Sequence, residues 1–198
     1  MPPYHFRIND QVELLNLDEA LRHVSQQRRE KALAFKHGGG RKLSVAAYLL
    51  LCDLLREQYG IEELPILEET PDGKPYLKDY PDIHFNLSHT RGVAACVVSR
   101  QAVGIDVESI RPFNDTLARR VLTTEEYQEV CNSKEPDVEF IRLWTCKESL
   151  LKLIGTGIRE ELDTVSTQDN HYQFDTIINR AGGYICTLCI KKNIIDEQ

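Results

Sequence analysis

Three short apolar or alternating runs, separated by short turns, constrain the fold of this chain more than any other feature. The runs read "IHFNLSH", "VAACVVS" and "AVGIDVE", and the residues between them are "TRG" and "RQ". Connections this short join antiparallel neighbours, because a parallel connection needs a crossover of a dozen or more residues. The runs therefore predict an antiparallel meander of three strands.

Helical patterns precede this region. Residues 17 to 36 and 41 to 59 predict two helices, because apolar residues recur at spacings of three and four. Glycines punctuate both segments, at Gly38 to Gly40 and at Gly60.

The same order of elements follows the meander. A helix is predicted at "TTEEYQEVC", with a capping box from Thr123 to Glu126, and a longer one from about Asp137 to Ile154, ended by Gly155. Further strand candidates come next, listed here in chain order: a stretch near Thr164, "HYQFDTII" and "YICTLCIKK".

Helices followed by a meander, repeated once, predict an α+β fold of two similar lobes in a pseudo-twofold arrangement. Each lobe would pack helices on a small antiparallel meander sheet. We place the junction at "SIRPFND", so that residues 1–108 form an N-terminal lobe and residues 109–198 a C-terminal lobe. The cleft between the lobes is then the natural place for an active site.

Composition narrows the class of protein. The chain has 198 residues, 41% of them apolar, which is enough for a well-buried core. No apolar run approaches the roughly 20 residues that cross a bilayer, and "MPPYHFRIND" lacks the layout of a signal peptide. A net charge of −7 argues against nucleic-acid binding. We expect a cytoplasmic protein with no membrane or nucleic-acid partner.

Six cysteines fit that compartment, because cytosolic thiols stay reduced. "CTLC" at residues 186 to 189 has the spacing of a redox motif or of half a zinc site. It lies in a strand-like run without a second matching pair, which favours buried structural cysteines over a metal site.

One stretch departs from the acidic balance. Residues 28 to 42, "RREKALAFKHGGGRK", hold six Lys or Arg against the single acid Glu30. Such a run is either a solvated helix face or an anion site. The second interpretation rests on "GGG", which would let backbone N–H groups at the start of a helix approach a phosphate closely.

In "VGIDVE", Asp106 and Glu108 lie on one face of a predicted strand and the aliphatic residues on the other. Two like charges this close are unfavourable unless a cation lies between them or one takes up a proton. The alternative is a half-exposed edge with two solvated acids.

In "LWTCKESLLKLIG", Glu148 and Lys152 are four residues apart on one helical face. They could form a surface ion pair. Alternatively, Glu148 is the third carboxylate that a strand with two acids needs to hold a divalent ion. With the basic stretch to neutralise phosphates, this constellation fits phosphoryl-group chemistry with magnesium.

The pair "VGIDVE" and, about forty residues later, "WTCKESLLK" resembles the signature of the 4′-phosphopantetheinyl transferases. "GKPYL" (73 to 77) and "FNLSH" (85 to 89) extend the match in the order found in that family's longer, single-chain, two-lobed branch, the surfactin-synthetase-activating type. The resemblance covers roughly residues 28 to 157.

The resemblance implies transfer of the 4′-phosphopantetheine arm of coenzyme A to a serine of an acyl- or peptidyl-carrier protein, releasing adenosine 3′,5′-bisphosphate. It makes Asp106, Glu108 and Glu148 the ligands of Mg²⁺. Glu148 is also similar to the family's proposed general base, and Lys152 to the ammonium that neutralises or protonates the departing phosphate.

The resemblance also implies residues that bind coenzyme A. Lys74, Ser88 and His89 are similar to residues that contact nucleotide phosphates. Other positions match basic residues that hold the 3′-phosphate and pyrophosphate: Arg28, Lys31 and Arg41. "KHGGGRK" departs from the family's usual loop, which leaves Lys36 and His37 without assigned roles.

Two alternatives remain at this point: another magnesium-dependent phosphoryl enzyme, and a noncatalytic coenzyme A-binding relative. Because unlike halves already supply both walls of the cleft, we expect a monomer. The carrier protein that is modified depends on surface shape, which the sequence does not specify.

Overall fold

The computed structural model of the chain describes residues 3–155 and 162–192. The strands there are β1 (Tyr4–Asn9), β2 (Leu67–Glu69), β3 (Pro75–Leu77), β4 (His84–Thr90), β5 (Val93–Ser99), β6 (Val103–Ser109), β7 (Tyr172–Asn179) and β8 (Tyr184–Lys191). The α-helices are α1 (Leu17–Ala20), α2 (Gln26–Leu33), α3 (Gly38–Tyr59), α4 (Asp115–Val121), α5 (Thr124–Asn132) and α6 (Pro136–Ile154). The predicted α+β class with small antiparallel sheets is confirmed.

Strands of the first half form an antiparallel sheet in the order β1-β5-β4, and α3 packs on it. Strand β1 was not predicted from the sequence. Most of its side chains are exposed or half-buried, so they show no core alternation. The strand exists because it pairs with β5 over its whole length, from Tyr4 opposite Ser99 to Asn9 opposite Ala94.

Strands of the second half form an antiparallel sheet in the order β6-β8-β7, on which α6 packs. Strands β7 and β8 confirm two of the predicted strands. The third prediction, near Thr164, is wrong, because Leu162–Thr164 is a single 3₁₀ turn.

The prediction that β6 continues the meander after β5 is also wrong. Strand β6 pairs with β8, with Val103 opposite Ile190 and Ser109 opposite Tyr184. Strand β6 therefore lies in the sheet of the second half, although it precedes residue 109. The division at residue 108 and the pseudo-twofold arrangement of two lobes stay predictions.

The helix predictions differ from the structure mainly at their ends. The predicted helix 17 to 36 is interrupted: a 3₁₀ turn (Leu21–His23) follows α1, and Ser25 begins α2 by accepting a hydrogen bond from the Arg28 N–H. Helix α3 starts at Gly38, so the glycine run is its first turn instead of a loop before it.

The ends of the later helices agree with the sequence. The capping box of Thr123 and Glu126 is present at α5, and Gly155 ends α6 in the left-handed conformation, with φ of +87°. No helix among the described residues is long and apolar enough to cross a membrane.

Apolar side chains fill the space between the two sheets. Residues of β5 and β6, including Ala95, Val97, Val103, Ile105 and Val107, are fully buried there. Each sheet also buries its other face against its own long helix. This packing fixes β6 between α6 and the first sheet.

Candidate active site

Strand β6 carries its two acidic side chains on the same side, as the alternation of its sequence predicts. Asp106 is buried, with 5% of its surface exposed, and Glu108 is half-buried. The strand thus holds a carboxylate in a place where a charge needs a partner.

Gly104 allows α6 to approach this strand closely. A Cβ at this position would lie 1.9 Å from the Ser149 carbonyl oxygen and 2.8 Å from the Leu153 nitrogen. Both atoms belong to the backbone of α6, so any larger residue would push the helix away. The contact brings the helix that carries Glu148 and Lys152 against β6.

Lys152 crosses from α6 to β6. Its Nζ atom donates hydrogen bonds to Asp106 Oδ1 at 2.7 Å, to Ser88 Oγ at 2.9 Å and to the Ile105 carbonyl oxygen at 3.3 Å. The partner of Lys152 is thus the strand carboxylate, and the simple surface pair with Glu148 is not formed. Asp106 and Lys152 thus make an ion pair.

The three acids interact electrostatically. Burial, and then the charge of Asp106, raises the pKa of Glu148 above the ordinary glutamate value, although Lys152 opposes this. Burial and the same charge raise the pKa of Glu108, against the effect of Arg111. Both glutamates therefore bind a proton more readily than free side chains do.

The donor set fits a divalent cation. Among the buried side-chain nitrogen and oxygen atoms of the described residues, Asp106 Oδ2 is the one without a hydrogen-bond partner. Carboxylate oxygens are the ligands that Mg²⁺ prefers. In residues 3–155 and 162–192, no three His, Cys, Asp or Glu side chains lie close enough together to hold a metal ion. The cation beside Asp106 is the ammonium of Lys152.

Two adjoining cavities extend from these residues, and both are lined by Pro75 and Leu87. The smaller, of about 310 Å³, includes among its lining residues Lys74, Asn86, Glu148, Lys152 and Gly155. The larger, of about 640 Å³, includes Gln27, Arg28, Lys31, Glu68 and Glu69. The two cavities therefore adjoin, and we call them together the cleft: one contains Glu148 and Lys152, and the other contains Arg28 and Lys31 of helix α2.

The structure brings two of the three basic residues predicted near α2 into this cleft. The Arg28 guanidinium lies over the Tyr48 ring, 5.0 Å from its centroid, and burial lowers its pKa. Lys31 forms an exposed ion pair with Glu69 at 3.1 Å. Arg41 does not line either cavity; its Nε atom donates to the Phe35 carbonyl oxygen at 2.9 Å.

Lys74 lines the cavity that contains Glu148. Its Nζ atom donates to the Leu153 carbonyl oxygen, near the end of α6, at 2.7 Å, and burial lowers its pKa. A Cβ on Gly155 would lie 2.9 Å from Lys74 Cδ. Lys74 therefore joins the β2-β3 hairpin to the last turn of α6 across the cleft.

Ser88 and His89 point to different surroundings. Ser88 is buried, and its hydroxyl group donates to Asp106 Oδ1 at 2.9 Å while it accepts from Lys152. His89, the next residue of β4, is exposed. Desolvation of its ring first, and then the nearby positive charges of Lys152 and Arg28, lower the pKa of His89.

Lys36 and His37 directly precede α3, and the three glycines are its first residues. His37 precedes the first helical residue but makes no side-chain cap. A Cβ would meet nothing within 4 Å at Gly38 or Gly39, and at Gly40 it would meet only the Phe35 ring, at 3.0 Å. Packing against the backbone therefore does not account for this glycine run.

Sequence reasoning missed Asn86 and Thr90, which hold β6 in place, and the reason for Gly104. A signal for the first two was present, because polar residues alternate with apolar ones in "FNLSHT". For Gly104 the sequence shows only a glycine in a strand, which is typical of close backbone approach but does not identify the neighbour.

Comparison with known proteins shows which family shares these features. A family model, that of the 4′-phosphopantetheinyl transferase superfamily, matches residues 102–194. The match includes the strand with both acids and the helix that carries Glu148 and Lys152.

Individual relatives extend the similarity into the first half of the chain. A 4′-phosphopantetheinyl transferase of Bacillus subtilis is 31% identical over 165 residues, which is 80% of this chain and 73% of the relative. The 4′-phosphopantetheinyl transferase Sfp of Bacillus subtilis (strain 168) is 32% identical over 73% of this chain and 66% of its own length. The transferase gsp of Aneurinibacillus migulanus is 33% identical, over 71% and 67% respectively.

Proposed function

The chain belongs to the 4′-phosphopantetheinyl transferase superfamily, and we propose that its cleft transfers the 4′-phosphopantetheine arm of coenzyme A to a serine of an acyl- or peptidyl-carrier protein. The observation that carries this proposal is the pair of adjoining cavities, of which one is lined by Glu148 and Lys152 and the other by Arg28 and Lys31. Adenosine 3′,5′-bisphosphate is the second product.

The basic end of the cleft suits the nucleotide of coenzyme A, which is rich in phosphate. Arg28, Lys31 and Lys74 line the cavities, and Arg28 and Lys74 are partly buried, where a cation without a full partner attracts an anion strongly. Binding there requires Lys31 to exchange Glu69 for a phosphate oxygen. Arg41 and His89 line neither cavity, and we propose that they contact the same phosphates.

The acidic end suits a metal. We propose that Asp106, Glu108 and Glu148 hold Mg²⁺, with Asp106 Oδ2 as the oxygen that has no other partner. When bound, Mg²⁺ supplies positive charge to the phosphates that react. Lys152 can then pair either with Asp106 or with the departing phosphate, because its side chain is flexible.

The chain's own residues supply the proton transfers. Glu148, whose pKa is raised by burial and by Asp106, accepts the proton of the incoming serine hydroxyl. The serine oxygen bonds to the phosphorus atom that carries the pantetheine arm, and the bond from this phosphorus to the bridging oxygen breaks. Lys152 neutralises or protonates that oxygen as it leaves with the nucleotide. Most of the acceleration comes from positioning and charge stabilisation.

The test is incubation of the full chain with coenzyme A, Mg²⁺ and apo-carrier proteins, followed by intact-mass measurement. We expect the carrier to gain one phosphopantetheine. Glu148→Gln should abolish this gain, whereas Glu139→Gln, nine residues earlier and on the opposite side of α6, should not. Hydrolysis of coenzyme A without transfer would indicate another phosphoryl enzyme, and binding without turnover a noncatalytic relative.

We also propose a cytoplasmic location, because the cytosol keeps cysteine thiols reduced. All six cysteines are free thiols and five are buried, including Cys186 and Cys189 of "CTLC", inside β8. Burial raises the pKa of both these thiols to about 12, so they are poor redox or metal-binding groups.

A further inference from the structure

Two sheet edges meet beside the acidic site. Strand β4 is the last strand of one sheet and β6 the first of the other, and they run side by side without pairing as strands. The edge N–H groups of β6 point away from β8 and need acceptors, because Ile105 and Val107 are fully buried.

Side chains of β4 supply these acceptors. Every second side chain of β4 accepts a hydrogen bond from every second backbone N–H of β6. The two partners are always 19 residues apart in the chain. The bonds are Ile105 N to Asn86 Oδ1 at 3.1 Å, Val107 N to Ser88 Oγ at 3.1 Å, and Ser109 N to Thr90 Oγ1 at 3.3 Å. We call Asn86, Ser88 and Thr90 the seam.

Two seam residues bind the acids as well as the backbone. Ser88 Oγ donates to Asp106 Oδ1 at 2.9 Å, and Thr90 Oγ1 donates to Glu108 Oε2 at 3.3 Å. A hydroxyl group has one proton and two lone pairs. At Ser88, the Val107 N–H and Lys152 occupy the two lone pairs, so the proton is left for Asp106. Thr90 Oγ1 also lies 3.0 Å from Ser109 Oγ, and with the Ser109 hydroxyl as the donor of that bond the Thr90 proton goes to Glu108.

Resting on the proposed function, we propose that Thr90 is a positioning residue for the metal site, acting with Ser88 and Asn86 as part of the seam. Thr90 fixes Ser109 and orients Glu108, while Ser88 does the same for Val107 and Asp106. Hydrogen-bonded partners of metal-binding carboxylates typically set metal affinity as well as geometry. The seam thus joins the nucleotide-binding half of the cleft to the acids that face the reacting phosphates.

The decisive variants change one hydroxyl group. Thr90→Val keeps the shape of the side chain but can neither accept from Ser109 nor donate to Glu108, whereas Thr90→Ser keeps the hydroxyl. Thr176→Val is the matched control, because Thr176 is also half-buried on an edge strand, where its hydroxyl bonds to Thr187 at 3.0 Å.

The measurement is the affinity for Mn²⁺, as a spectroscopic substitute for Mg²⁺, with and without coenzyme A. We expect Thr90→Val to bind Mn²⁺ about tenfold more weakly, the lower end of effects seen for partners of metal ligands. Thr90→Ser and Thr176→Val should bind Mn²⁺ like the parent.

A second readout needs no metal. Hydrogen exchange of the Ser109 amide should be faster in Thr90→Val than in the parent and normal in Thr90→Ser. If Thr90→Val does not fold, Thr90→Ala replaces it, because water can then reach the Ser109 N–H.

The outcomes separate this inference from the proposed function. Mn²⁺ that binds the parent and Thr90→Val equally well, with only a lower melting temperature in the variant, overturns the inference and leaves the proposed function intact. Mn²⁺ that does not bind the parent at all, even with coenzyme A, overturns the metal site and the inference with it.

Discussion

At the scale of single residues, Lys152 supplies the positive charge that pairs with Asp106 and holds α6 to β6 by hydrogen bonds. Its ammonium group compensates the negative charge of Asp106, a carboxylate that is almost fully buried. A buried charge is tolerated only with such a partner, and removing one member of a buried pair is costly because the other remains. The sequence suggested repulsion among acids; the structure shows an internal cation that relieves part of it.

We therefore expect Asp106→Asn to lose transfer activity and to destabilise the ligand-free protein by about 1–3 kcal/mol, because the Lys152 ammonium then faces a neutral amide instead of a carboxylate. Melting curves should also show that Mg²⁺ with coenzyme A stabilises the parent but not the variant, since only a ligand of the folded state does so. Asp115→Asn, an exposed member of a surface pair, serves as control. A variant more stable than the parent would mean that repulsion outweighs the Lys152 pair.

His89 gives a prediction about pH. Because its pKa is lowered in the folded protein, the unfolded chain binds the proton more tightly, and stability falls as the pH drops through the ordinary histidine pKa of 6.5. The parent should thus lose stability relative to His89→Gln between about pH 7.5 and about pH 5.5, as measured by urea unfolding. Above this window the difference should stay constant. A constant difference at all pH values would show that His89 is not held neutral.

At the scale of elements, the packing of α6 on β6 determines where the site forms. Gly104 lies against Ser149 and Leu153 of α6. The residues that precede these two in the sequence, Glu148 and Lys152, belong to the site. The buried Lys147 secures the same helix from another side. It pairs with Glu126 of α5 at 2.7 Å and donates to the carbonyl oxygens of Leu162 and Val165.

Gly104→Ala should lower both stability and transfer activity, because its Cβ would meet backbone atoms of α6 that cannot move separately. We expect a loss of stability of at least the 1–3 kcal/mol typical of overpacking, measured by urea unfolding. Gly39→Ala is the control for stability, since nothing lies within 4 Å of its Cβ and alanine favours a helix. Parental stability in Gly104→Ala would mean that α6 can move without cost.

Lys147→Met should destabilise the protein by about 3–5 kcal/mol, because Glu126 is left buried without its cation. Adding Glu126→Gln should recover part of that loss, and Lys134→Met, on the surface, should have little effect. Urea unfolding of the parent, of Lys147→Met and Glu126→Gln singly, and of the double variant measures the coupling. Additive effects in the double variant would show that the two side chains do not interact.

At the scale of the whole molecule, the two sheets share an apolar core and are also joined by polar bonds. Tyr4 of β1 donates to Asp175 of β7, and Tyr184 of β8 donates to Asp10, at 3.5 Å. These contacts link residues near the beginning of the chain to residues of the second sheet. The residues that line the two cavities come from both halves of the chain.

We expect the active form to be a monomer for this reason. Light scattering should give a mass near 22.7 kDa, and specific activity should not change on dilution. An obligate dimer that loses activity in step with its dissociation would contradict this prediction and would indicate a site completed by a second copy.

The sequence by itself determined the local features: the parity that puts Asp106 and Glu108 on one face, the capping box at Thr123 and the end of α6 at Gly155. Each depends on neighbours within a few residues, so the pattern suffices. It also determined the family, because several motifs occur in order along the chain.

Only the tertiary structure decided the partners. The pairing of β6 with β8, the ion pair of Lys152 with Asp106 and the seam along β4 each join residues far apart in the chain. Their choice depends on which edge is buried beside which, and on which buried charge or N–H needs a partner there. Those demands arise only when the sheets pack together, and for that reason no local pattern encodes them.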